Sequence, residues 1–212
     1  MSTAMVGFLG LCLVMTLTPG LDTAMVMRNA LRRGPAAGVL TAFGCALGLF
    51  VHAAAVALGL AAILLKSAMV FEVVRWIGAG VLVVIGALSL LAAITGRGVA
   101  APDLDAEVGR SSRRSSFAQG LLTNLTNPKA TLFFLSALPQ FVSPGSSSQA
   151  LPQAMTLAVI AATFSAVGLS LVGLLAGRAR HLLSSVRTHR VLEGIMGTVL
   201  VGLGVKVALD HP

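Results

Sequence analysis

Apolar residues run along this chain in long blocks joined by short polar stretches. Six blocks can be marked, over residues 4–27, 36–65, 73–95, 117–142, 152–177 and 191–209. Each can cross a bilayer core of about 30 Å, which takes roughly 20 residues of helix. The pattern predicts an all-α integral membrane protein with six transmembrane helices, whose surroundings are the lipid bilayer. The fourth block is interrupted by Thr123-Asn124-Leu125-Thr126-Asn127-Pro128-Lys129. Pro128 has no amide proton to donate, and its ring crowds the carbonyl of Asn124 four residues back. Lipid cannot repair that loss, so the interruption must face protein or a watery cavity. A lysine near the middle of a span costs about 2.5–3.5 kcal/mol on insertion scales. A polar, broken helix at membrane depth predicts a substrate site.

The joints between blocks fix an orientation. Arg28, Arg32 and Arg33 follow the first block, Arg97, Arg110, Arg113 and Arg114 the third, and Arg178, Arg180, Arg187 and Arg190 the fifth. These three joints hold eleven of the fifteen basic residues, against Lys66, Arg75 and Lys206 on the other side. Positive charge stays inside, so these joints are expected in the cytoplasm and both termini outside. The one long polar segment, residues 97–116, is expected as a cytoplasmic linker between a first half, 1–96, and a second half, 117–212.

The halves resemble each other. Gly44, Gly48, His52, Ala55 and Gly59 in the second block correspond to Ala162, Ala166, Ser170, Gly173 and Gly177 in the fifth, and Gly86 corresponds to Gly204, 118 positions on. The spacing keeps these small residues on one helical face, where membrane helices can approach closely. With three spans per half, the second half enters the membrane from the opposite side. The prediction is a single transporter domain of two inverted-topology three-helix repeats, with the site near the repeat interface.

The first block has its own break, at Thr16-Leu17-Thr18-Pro19-Gly20-Leu21-Asp22. Asp22 is the only acidic residue well inside a block; Glu193 sits at the edge of the sixth. Pro19 lies late in a block running inward, and Pro128 early in one running outward. Both breaks therefore fall at middle to cytoplasmic depth, one bringing a carboxylate and the other an ammonium. Asp22 and Lys129 have a structural reading, a buried pair that neutralises itself, and a functional one, a clamp for an amino-acid zwitterion. Intramembrane charges usually mark pathways, which favours the clamp. In it Asp22 receives the ammonium, Lys129 the carboxylate, and Asn124 and Asn127 supply hydrogen bonds. Thr18, Pro19 and Pro128 complete the candidate substrate site, the prolines by shaping it. Asp22 and His52 are candidate proton carriers, although His52 equally suits a bond to a carbonyl.

Composition narrows the alternatives. The chain is 56% hydrophobic and 10% charged, with mean hydropathy +0.93, whereas soluble domains are about 25% charged. The net charge of +8 lies in the joints and does not imply nucleic acid. Cys12 and Cys45 fall inside apolar blocks, as packing residues rather than a disulfide. Residues 1–27 lack a basic leader and exceed a signal-peptide core, so a retained first span is expected. No metal-ligand spacing, cofactor motif or catalytic group is recognised. A metal or cation exporter is disfavoured by isolated thiols and a single buried carboxylate. An intramembrane enzyme is disfavoured because no nucleophile motif accompanies Asp22 and His52. A purely structural membrane protein is a further alternative.

At its two breaks the sequence resembles the LysE/RhtB superfamily of bacterial amino-acid exporters. The matching residues are Thr18-Pro19-Gly20 with Asp22, Asn124-Leu125 with Asn127-Pro128-Lys129, Leu132-Phe133-Phe134, and Pro139-Gln140-Phe141. Leu21 departs from the pattern, which often has a second proline there. The resemblance spans nearly the whole chain. It implies a secondary-active exporter in the bacterial inner membrane, moving amino acids or related small metabolites out of the cytoplasm at the expense of the proton gradient. Which amino acid is carried, and whether the protein forms a homo-oligomer, stay open.

Overall fold

The computed structural model describes residues 3–96, 113–142, 147–176 and 185–209. Among these the chain forms eight helices and no strand: α1 (Thr3–Leu17), α2 (Leu21–Arg33), α3 (Pro35–Lys66), α4 (Ala68–Thr95), α5 (Arg113–Leu125), α6 (Pro128–Phe141), α7 (Ser147–Leu174) and α8 (Val186–Leu209). Four of them, α3, α4, α7 and α8, are long and apolar enough to cross a membrane. The pair α1 and α2, bent by 50° at the Pro19 break, makes a fifth candidate. The α5–α6 pair is not among them. The reason lies in its residues: α5 opens on Arg113-Arg114-Ser115-Ser116 and carries Gln119 and Asn124, and α6 has only 14 residues. Many large apolar side chains point outward, among them Leu13, Phe43, Leu58, Leu88 and Leu171, as expected of a surface solvated by lipid.

Local chemistry sets the ends. α2 closes where the Gly34 amide donates to the Ala30 carbonyl, and Gly34 then turns the chain with φ +90°, a conformation suited to glycine. Pro35 starts α3 at the position where a missing amide proton costs nothing. The Ser67 hydroxyl caps α4 by accepting from the Val70 amide at 3.3 Å.

The long helices pack in pairs, α3 along α7 and α4 along α8. The second pair shows a reciprocity. A Cβ on Gly86 would meet the Gly197 carbonyl and the Val201 amide, both at 2.8 Å. A Cβ on Gly204 would meet the Ala79 carbonyl at 2.7 Å and the Val83 side chain at 2.6 Å. Residues 79, 83 and 86 become 197, 201 and 204 under the same 118-residue shift, so each helix uses one set of positions to hold the other. That is how a two-fold contact behaves.

Elsewhere the small-residue face holds over part of its length. Gly44 abuts Phe117 and Leu121 of α5, and Gly48 abuts Asn124, while Ala55 and Gly59 are exposed. The partner helix α5 ends at Leu125, level with Gly48, so the later turns of α3 have no close neighbour on that face. Arg75, counted with the outer charges at the start of the third block, is buried within α4 and paired with Glu72 at 3.1 Å. Four residues of the expected linker, 113–116, are the first turn of α5. The rest of that linker, with Arg97 and Arg110, and the joint holding Gly177, Arg178 and Arg180 lie outside the described residues.

The glycine contacts carry a prediction. Gly86→Ala forces a methyl onto backbone atoms of α8 and is expected to destabilise the folded protein by about 1–3 kcal/mol. Gly80→Ala, with open space around its Cβ, is expected to stay within about 0.5 kcal/mol. Thermal unfolding in detergent distinguishes the two; equal effects would contradict the close approach.

Candidate functional site

The two breaks meet. A cavity of about 50 Å³ is lined by Thr16 and Thr18 at the end of α1, Asp22 at the start of α2, Asn127 and Lys129 at the start of α6, and Ser165 of α7, with Met15, Leu49 and Leu169 among its apolar walls. Of the residues expected in the site, Thr18, Asp22, Asn127 and Lys129 line this cavity directly. Asn124 is brought to it by a bond to Asp22. Pro19 is buried beside it, whereas Pro128 is exposed and shapes the break from outside.

The Pro128 break is repaired as its chemistry requires. The Asn124 carbonyl, which Pro128 cannot serve, accepts from the Asn127 amide at 2.9 Å and from His52 Nε2 at 3.2 Å. His52 thus bonds a carbonyl, the structural one of its two expected roles. Asn127 then caps α6, its Oδ1 accepting from the Lys129 amide at 3.0 Å, and Pro128 occupies the first helical position. On the other side of the cavity α1 ends with the Thr18 amide and hydroxyl both donating to the Val14 carbonyl, at 3.0 and 2.7 Å.

Two half-helices, α2 and α6, therefore begin at the cavity, and their free amide ends favour an anion there. Asp22 lies in the first turn of α2, and its Oδ2 accepts from Asn124 Nδ2 at 2.7 Å. Its other oxygen, Oδ1, is buried with no hydrogen-bond partner. Lys129, in the first turn of α6, meets the unfavourable end of that helix and needs a counter-charge.

That counter-charge is not Asp22. Lys129 Nζ lies 3.6 Å from Oε1 of Glu193, a residue buried to 5% exposure about two turns into α8. The expected structural pairing of Asp22 with Lys129 is thus replaced by Lys129 with Glu193, and Asp22 has no ion-pair partner among the described residues. Sequence reasoning set Glu193 aside because the sixth block was started at residue 191. The helix begins at Val186, which carries Glu193 inside.

A second polar group went unrecognised. Asn29 of α2, 1% exposed, donates through Nδ2 to Thr41 Oγ1 of α3 at 2.8 Å and to Gln119 Oε1 of α5 at 3.0 Å. The Thr41 hydroxyl donates to the Ala37 carbonyl at 2.8 Å, and Arg33 donates to the Ser116 hydroxyl at 3.3 Å. These bonds tie the far end of α2 to α3 and α5. Cys12 and Cys45 are free and buried, as expected of packing residues. Among the described residues no group of three metal-ligating side chains assembles.

The family model for LysE type translocators matches residues 13–211. An uncharacterized membrane protein of Bacillus subtilis, YrhP, is 29% identical over 98% of this chain and 99% of its own length. The leucine efflux protein of Salmonella typhimurium is 29% identical over 91% of this chain and 88% of its own. The homoserine/homoserine lactone efflux protein of the same organism is 27% identical over 92% and 91%. No solved structure matches the chain significantly.

The pairing of Lys129 predicts a thermodynamic cycle. Lys129→Met and Glu193→Gln, made singly, are each expected to cost up to about 3–5 kcal/mol, the upper end applying if the stranded partner stays charged. Together they are expected to recover most of the loss. Asp22→Asn combined with Lys129→Met should show no such recovery. Detergent melting curves of the variants check this.

Proposed function

The chain belongs to the LysE type translocator family, a multi-pass membrane protein, and on that premise we propose that it exports amino acids from the bacterial cytoplasm across the inner membrane, coupled to protons. The observation that carries this reading is the cavity where two broken helices meet and a carboxylate, an ammonium and two amides converge. A zwitterion needs that set: its ammonium goes to Asp22 Oδ1, its carboxylate to the amide ends of α2 and α6 with Lys129 nearby. Thr18 and Asn127 supply the remaining polar contacts. Relatives named for leucine and for homoserine or its lactone make these the first substrates to try.

The transporter has six spans in this proposal, the bent α1–α2 pair being the first and the broken α5–α6 pair the fourth. The halves form inverted repeats, an arrangement supported by the reciprocal α4–α8 contact. Both termini are outside, which the distribution of arginines supports. At about 50 Å³ the cavity lies well under the roughly 300 Å³ at the low end of ligand pockets, too small for an amino acid as it stands. Loading an amino acid then requires the helices around it to part. His52 and Asp22 are the groups through which protons can pass, Asp22 being the one on the cavity wall.

Two experiments test the proposal. Reporter fusions at Gly109 and at the C-terminus should report opposite sides of the membrane; the same side for both would defeat six spans and the inverted repeat with them. Loaded vesicles should expel leucine or another member of an amino-acid panel uphill, and a protonophore should abolish the gradient. A potential of 100 mV is worth about 2.3 kcal/mol per charge moved, roughly a fifty-fold concentration ratio. Asp22→Asn should stop efflux while changing stability by less than about 1 kcal/mol, because it strands no internal partner. Uphill efflux surviving the protonophore would point to another energy source.

A further inference from the structure

The charges buried around the cavity do not balance. Asp22 and Glu193 bring two carboxylates, and Lys129 brings one ammonium. The ammonium is spent on Glu193, 3.6 Å away and 5% exposed. Asp22 is held by neutral amides only, Asn124 at hydrogen-bond distance and Asn127 beside it, and its Oδ1 is buried with no hydrogen bond of good geometry. An ionised carboxylate left so at membrane depth is costly, and it is relieved only by a cation or a proton. We infer that Glu193 is a positioning residue: by occupying Lys129 it reserves Asp22, so that a proton and the substrate's ammonium take Asp22 in turn and never together. This deepens the exporter reading and rests on it.

The exchange balances as written. With the site empty, Asp22 carries a proton on one carboxyl oxygen. An arriving alkylammonium takes the same oxygen; the O–H bond breaks, the proton leaves to water, and an ion pair replaces it. When the ammonium departs on the far side, a proton from that side restores the acid. Mutually exclusive occupancy of one carboxylate is the minimum needed for antiport, because each half-cycle crosses with one cation. A lysine already bound to Asp22 would short-circuit it by filling the place permanently.

The groups facing Asp22 are few. α3 brings His52, engaged with the Asn124 carbonyl, and Cys45. α6 brings Lys129, and α8 acts through it by Glu193. α5 and α7 bring Asn124 and Ser165, neither of which titrates. Lys129 is therefore the internal cation to be kept away, and Glu193 is the residue that does it. The role also sets substrate chemistry: the ammonium is obligatory, and the carboxylate is secondary because it must compete with Glu193.

A hydrophobic carbodiimide, which reacts with protonated carboxyls inside membranes, tests this on the intact protein without any substrate. Mass spectrometry should locate the adduct on Asp22 and not on Glu193. In Glu193→Gln the freed Lys129 turns to Asp22 and favours its ionised form. Labelling should then fall at least about tenfold, which corresponds to about 1.4 kcal/mol in the protonation equilibrium. Glu193→Asp should keep wild-type labelling. Glu193→Gln combined with Lys129→Met should regain it, which also separates lost pairing from misfolding. Equal labelling of Asp22 in wild type and a folded Glu193→Gln protein would overturn the role of Glu193, as would a double variant that stays unlabelled. Leucine and decarboxylated leucine, isopentylamine, should both protect Asp22, whereas the deaminated acid should not. If the variant pattern holds and no amine or amino acid protects, the exporter reading falls and the counter-ion role of Glu193 stands.

Discussion

The carbonyl of Asn124 is the constraint around which this fold is arranged. Pro128 makes the break that brings polar groups to the cavity, and in doing so it removes the donor that Asn124 would have used. Nothing in lipid can replace it. The Asn127 amide takes that place locally, and His52 reaches across from α3 as a second donor, where α3 and α5 lie close. Gly44 and Gly48 provide that closeness on one helix, with Gly120 of α5 set against the Thr41 carbonyl on the other. The same Asn124 spends its side chain on Asp22. One residue thus connects the repaired break, the glycine contact and the carboxylate of the cavity.

Charge supplies the second constraint. A cation at the start of α6 opposes that helix's own dipole, and Glu193 offsets it from α8. The shift of 118 positions that carries Gly86 of α4 to Gly204 of α8 also carries Arg75 to Glu193. Both are buried and both engage α6, Glu193 through Lys129 near its start and Arg75 through a carbonyl that accepts from Gln140 near its end, at 2.9 Å. The carboxylate at this position of α8 neutralises Lys129, whereas the contact from α4 uses a main-chain carbonyl and leaves the Arg75 guanidinium to pair with Glu72.

Much of this was legible in the order of residues. Proline leaves a local signature, so both breaks were placed, and opposite directions of travel were enough to bring Asp22 and Lys129 to one depth. The glycine positions that needed contact were visible as a face. Partners at long range were not. Glu193 lies 64 residues from Lys129, and a span boundary drawn a few residues late set it at the membrane edge. Asn29, Thr41 and Gln119 each look like ordinary polar residues near a helix end, and their shared network appears only when three helices are assembled. Ala55 and Gly59 continue the spacing of Gly44 and Gly48, but spacing alone does not reveal where a partner helix stops.

Beyond the cavity the helices are joined by two groups of contacts, and these differ in character. Toward the end of α2 they are polar: Asn29 with Thr41 and Gln119, and Arg33 with Ser116. Toward the end of α6 they are mixed, with the Phe8 and Phe141 rings edge to face at 5.1 Å and Gln140 on the Arg75 carbonyl. A buried hydrogen bond contributes only about 0.5–1.5 kcal/mol net when water can take its place. Water entering at the α2 end meets groups ready to exchange partners, so those contacts can part at small cost. At the α6 end the aromatic contact has no such replacement and must slide as a unit. The hinges are already built, since α1 and α2 are separate helices at Pro19, and α5 and α6 at Pro128. Asp22 and Lys129 each stand in the first turn beyond a break, so any swing of a half-helix about that break would displace them least.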